Sequence, residues 1–159
     1  MKKIKKIKQK RKLKKKLAKI QNRKKIISFI KLVIMKKKSL PKYTNYLKAN
    51  IYKCCELKYA EVSLGDWQPS PKLCHDNVNF WCHYYTKYKP IRGWLYLDEI
   101  GGFVAHSVIK APDEYFYDIT PTESKISSPY RFLPIQDSYK EFMAIVKASG
   151  GIIYIKKTF

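Results

Sequence analysis

Apolar positions recur along this chain in two rhythms. Near the N-terminus Leu13, Leu17, Ile20, Ile27, Ile30 and Ile34 follow three- and four-residue steps among lysines, the spacing of one helix face. Tyr43, Tyr46, Leu47, Ile51 and Cys54 continue in such steps and predict helix from Pro41 to about Lys58. Ser63-Leu64-Gly65-Asp66 breaks the rhythm, and Pro69 and Pro71 keep the next stretch extended. A further helix starts near Leu73 and ends before Pro90. Cys74, Val78, Trp81, Cys82 and Tyr85 share its apolar face.

After Pro90 the period shortens to two. Residues 91–97, 103–110 and 115–120 read as strands, separated by turns at 98–102 and 111–113. Residues 121–134, punctuated by Ser124, Ser127, Ser128, Pro129 and Pro134, read as a loop. Ser138 and Glu141 have the spacing of a capping box for a last helix. Gly150-Gly151 ends that helix, and residues 152–155 are a final strand. There is no internal repeat. The expected class is α+β, with the cysteine-bearing helix packed on a small antiparallel sheet.

Charge divides the chain unevenly. The net charge is +22 over 159 residues, yet no acidic residue precedes Glu56. Residues 56–159 hold as many acidic as basic side chains. This predicts a basic Lys-rich arm, 1–38, helical or disordered, and a single α+β domain, 39–159, just large enough for one core. The arm reads as a solvated extension, a phosphate-neutralising segment for non-specific nucleic-acid binding, or a basic amphipathic helix on an anionic membrane surface. Its apolar run, 26–35, is too short to span a bilayer. A basic region before a short apolar run resembles a secretory signal, which keeps secretion as the lesser alternative, but the basic region is unusually long and Lys36-Lys37-Lys38 stand where a cleavage site would be. Cys54, Cys55, Cys74 and Cys82 are spaced unlike a disulfide framework, so reduced thiols in a cytoplasmic setting are expected.

Three residues carry chemistry. Cys74 falls near a helix start, where the helix dipole favours thiolate. Taken alone it is a small buried hydrophobe of the helix face. His106 falls mid-strand, flanked at two residues by Val104 and Val108 on the same face. Asp118 lies in an aromatic-rich strand, where aspartate is disfavoured. If the turn centres on Pro112, His106 and Asp118 face each other across the hairpin, and the carboxylate can orient the imidazole as the third member of a triad does. Gln68, six residues before Cys74, is a candidate second oxyanion donor beside the Cys74 amide. No cofactor or metal is expected: the Cys and His spacings do not match structural zinc sites, and no phosphate-binding glycine motif occurs.

At these residues the chain resembles the papain-like and transglutaminase-like cysteine enzymes. The resemblance is carried by helix-starting Cys74, the Gly93-Trp94 strand, His106 in Ala-His-Ser-Val and Asp118 in Asp-Ile-Thr-Pro, over about residues 62–135. It also looks like small phage and bacterial proteins with a Cys-His-x-Asn-Val segment. The resemblance implies a thiolate nucleophile Cys74, a general acid/base His106, an orienting Asp118 and an oxyanion-binding Gln68. The function it implies is a cysteine hydrolase or acyltransferase working on a peptide, amide, isopeptide or ester through an acyl-enzyme. Ser107 stands where transglutaminases carry an aromatic after the histidine, which argues against protein cross-linking. The alternative expectation is a non-enzymatic nucleic-acid-binding protein that uses the arm.

Overall fold

The computed structural model describes residues 2–122 and 130–155, without the side chains of 2–10 and Leu13. It is α+β. Helix α1 runs unbroken over Lys2–Ala49, through Pro41. Proline has no N–H to return to the carbonyl four residues back. The hydroxyls of Ser39 and Thr44 donate to the carbonyls of Lys36 and Leu40, both at 2.9 Å, on either side of it. Beyond Pro41 the helix is anchored by burial: Leu47 is fully buried, and Tyr43 accepts a 3.0 Å hydrogen bond from Trp94 Nε1.

The expected helix over 41–58 stops at Ala49. The Asn50 side chain donates to the Tyr46 carbonyl at 2.7 Å, while the Asn50 N–H turns to Leu47 O. That local competition tightens the end into a 3-10 turn, Ile51–Lys53. Two short strands follow instead of helix, β1 Cys55–Glu56 and β2 Lys58–Tyr59.

Helix α2 is Cys74–Tyr84, followed by β3 Lys89–Leu97, β4 Gly102–Lys110 and β5 Phe116–Asp118. The expected loop 121–134 is corrected at its end: Arg131–Pro134 is a strand, β6. It pairs with both β1 and β3, and Phe132 and Leu133 are buried. Pro134 is its last residue, beyond the two positions that pair with β1. Residues 123–129 of that expected loop lie outside the described residues. Helix α3, Tyr139–Ser149, has the Ser138/Glu141 capping box, and Gly150 ends it in the left-handed region at φ 70°. Strand β7 is Ile152–Tyr154.

Among the described residues the sheet has the order β1-β6-β3-β4-β5-β2, with β7 on β4. It is mixed and larger than expected, because β2 and β5 run parallel. One face carries Trp94, Phe103, Leu133 and Ile153 against Leu47 of α1 and Phe142 and Ile145 of α3. Leu57, Leu95, Val108 and Phe132 form a cluster on the other face. Val78 and Trp81 of α2 pack on Ile109 and Ile119.

The β4–β5 register differs from expectation by two. Ile109 faces Tyr117 and Lys110 faces Phe116, so the hairpin centres on Asp113 and not on Pro112. The loop holds three residues, Pro112-Asp113-Glu114, and Glu114 takes the left-handed φ of 68° that such a loop requires. His106 and Asp118 are therefore diagonal neighbours rather than direct partners. A slip of two keeps side chains on the same face, where a slip of one would have separated them.

Candidate active site

The site forms where β4 lacks a neighbouring strand. Along one edge β4 pairs with β7 at 102–104 and with β5 at 109–110. Helix α2 packs against β4. His106 and Ser107 occupy the unpaired stretch and point to opposite faces of the sheet.

The approach to Cys74 is held by a buried asparagine. Asn77 Oδ1 accepts from the Ser70 N–H at 3.0 Å, and its Nδ2 donates to Ser70 O at 2.8 Å and to Thr120 Oγ1 at 3.2 Å. One amide thus ties together the loop before α2, the helix and the end of β5. Lys72 within that loop is left-handed, φ 65°, a conformation that L side chains rarely adopt and that such a framework can hold. The N-cap of α2 is Leu73, which offers no side-chain acceptor. As in any helix, the first-turn amides, that of Cys74 included, have no intrahelical acceptor and face the positive end of the dipole.

Cys74, His106 and Asp118 come together in the lining of one cleft of about 420 Å³, which Leu95, Val104 and Tyr130 also line. His106 is buried, and its Nε2–H donates to Asp118 Oδ2 at 2.8 Å. Asp118 Oδ1 accepts the Thr120 N–H at 2.9 Å, so both carboxylate oxygens are held. With Nε2 engaged, Nδ1 is the imidazole nitrogen left for the hydrogen bond to Cys74.

The electrostatics follow from that chain of contacts. Burial pushes the Cys74 thiol up, but hydrogen bonds from His106 and His75, and the charge of both, more than offset it. The thiol is lowered to about 6. Burial likewise pulls His106 down, and is outweighed by the hydrogen bonds to Asp118 and Cys74 and by their charge, so His106 is raised to about 9. The two protons belong to a coupled pair, which between those limits is thiolate and imidazolium.

Gly93 seats His106. The two are direct partners across β3 and β4. A Cβ on Gly93 would lie 2.3 Å from Leu133 O and 2.5 Å from the Phe132 ring, so only glycine lets β6 close against β3 here.

Gln68 is exposed and does not line the cleft, so the structure does not bring it to Cys74. His75 does reach the thiol, although its sequence position gave it no role. Its Nδ1 lies 3.7 Å from Cys74 Sγ and 2.5 Å from Oγ of the fully buried Ser107, and its ring meets Phe142 edge-on at 5.7 Å. Asn77 and Thr120 were also missed. Both left a trace: an asparagine beside Val78 on the apolar side of α2, and a threonine two residues after an aspartate, the spacing of an Asx turn.

Comparison with protein-family models, curated proteins and solved structures finds no match. Among the described residues no group of three or more His, Cys, Asp or Glu is placed to hold a metal ion, and no helix is long and apolar enough to cross a membrane.

Proposed function

We propose that this chain is a cysteine hydrolase or acyltransferase of the papain-like and transglutaminase-like kind, working on an amide, isopeptide or ester. The observation that carries this reading is that Cys74, at the N-terminus of α2, lines one cleft together with His106 and the Asp118 that holds its imidazole. A thiolate that is already formed needs no base to attack. The Cys74 sulfur adds to the substrate carbonyl carbon, and the Cys74 amide at the helix start is placed to receive the developing oxyanion. His106 then gives its Nδ1 proton to the departing amine or alkoxide as the C–N or C–O bond breaks, leaving a thioester. Water or an acceptor amine attacks the thioester, His106 takes its proton, and the thiolate leaves. Asp118 keeps Nε2 protonated and the ring aimed at sulfur throughout. The apolar side of the cleft, Leu95, Val104 and Tyr130, suits an acyl group with an apolar side chain.

The test is acyl trapping. Incubation with p-nitrophenyl acetate, then with peptide amides and isopeptides, followed by intact-mass analysis, is expected to place one acyl group on Cys74. Cys74→Ala should take none. A wild-type protein that neither acylates nor turns over any of these compounds would sink the reading.

A further inference from the structure

The catalytic reading leaves helix α1 unused. From Phe29 onward one side of α1 faces the body: Phe29, Leu32, Val33 and Lys36 are half-buried, and Lys36 Nζ lies 4.0 Å from Glu141. The other side carries large apolar groups in solvent. Leu17, Ile20, Ile27, Ile30 and Ile34 are each 43–54% exposed. At about 100° per residue, Ile20, Ile27 and Ile34 fall on one line, roughly 150° from the side that holds Phe29, Val33, Lys36 and Leu40. The stripe therefore points away from the protein, over about 21 Å of helix.

Basic side chains are interleaved with it. Lys16, Arg23, Lys24, Lys31 and Lys38 are exposed on the same side, and α1 contains no acidic residue. We propose that α1 lies flat on an anionic lipid bilayer, with this isoleucine stripe in the acyl–headgroup boundary and the interleaved lysines on lipid phosphates and carboxylates. Two features choose this occupant. Phosphates of a nucleic acid attract lysines but gain nothing from a row of isoleucines, whereas a bilayer interface uses both. A second copy of the chain would bring the same uncompensated positive charge against itself. The lysine stems can lie along the apolar surface and keep their ammonium groups at headgroup level. The cleft opens on the sheet face of Leu95 and Val104, opposite the face that carries α1, so docking leaves it free.

The experiment is vesicle co-sedimentation of the full chain at physiological salt. It compares phosphatidylcholine alone with phosphatidylcholine containing phosphatidylserine, for wild type, for Ile20→Gln/Ile27→Gln/Ile34→Gln and for Lys24→Gln/Lys31→Gln. Glutamine keeps helix propensity, and the replaced residues are exposed, so the body stays folded. An unchanged Cys74 alkylation rate checks this. Wild type is expected on the anionic vesicles only, and each variant should lose at least about tenfold in binding. Isoleucine variants that bind vesicles like wild type would overturn the proposal. So would a wild type that leaves anionic vesicles for duplex nucleic acid at equal phosphate concentration, which would make α1 a nucleic-acid arm.

Discussion

Cys74 and Cys82 lie on the same helix, both half-buried, with opposite chemistry. Burial pushes the Cys82 thiol up to about 11, with the charge of Arg92 only partly opposing it. Cys74 also suffers desolvation, yet its thiol falls to about 6. The difference is not exposure. Cys74 stands in the first turn of α2 with two histidines on it, and Cys82 stands near the last turn with neither. Cys54, lifted by burial to about 11, and Cys55, also lifted by burial, behave like Cys82. A packed thiol is lifted by burial in this protein, and lowering one takes a built environment.

The largest effect that would sharpen the contrast is in thiol labelling. Iodoacetamide at pH 7 should place one label on wild type, none on Cys74→Ala and one on Cys82→Ala, read by intact mass. Labelling of Cys82 at a comparable rate would erase the distinction between the two ends of α2. Next comes the closure of β6 on β3 at Gly93. Gly93→Ala should cost about 3 kcal/mol in denaturant unfolding, because the new methyl meets backbone and a buried ring. A change below about 0.5 kcal/mol would mean that β6 does not press on β3 as described. Smaller still is His75→Gln. It should raise the Cys74 titration, by less than loss of His106 does, and slow alkylation at pH 6 a few-fold. An unmoved titration would make His75 a packing group against Phe142.

The same contrast shows what the chain disclosed before its structure was known. Cys74, His106 and Asp118 were legible because each departs from its local pattern: a thiol at a helix start, and a histidine and an aspartate inside apolar strands. The hairpin register was misjudged by two, since Glu114 gives no glycine-like sign of its left-handed turn, but an even slip preserved the pairing face. Strand β6 was hidden by length. Four residues ending in Pro134 carry too little periodicity to stand out from a Ser- and Pro-rich stretch, and their strand identity comes from β1 and β3 on either side. The short strands β1 and β2 were masked in the same way by helical spacing that ran on past Ala49. His75 was not legible, because its neighbour Ser107 is distant in sequence and only the packing of α2 on β4 unites them.

The most direct test of the central claim is the pH dependence of Cys74 alkylation in wild type and in His106→Gln, whose amide still donates to Asp118. In wild type the thiol is lowered and the imidazole raised, so thiolate forms as pH climbs through about 6 while His106 stays protonated to about 9. Reactivity should therefore rise with a midpoint near 6. In His106→Gln that midpoint should move up toward or beyond the ordinary thiol range of roughly 8.5. At pH 6 the rate should drop about tenfold or more, even after allowing for the greater nucleophilicity of a more basic sulfur. A wild-type midpoint near the ordinary value, or one that His106→Gln leaves in place, would contradict the account and make Cys74 a packing residue like Cys82.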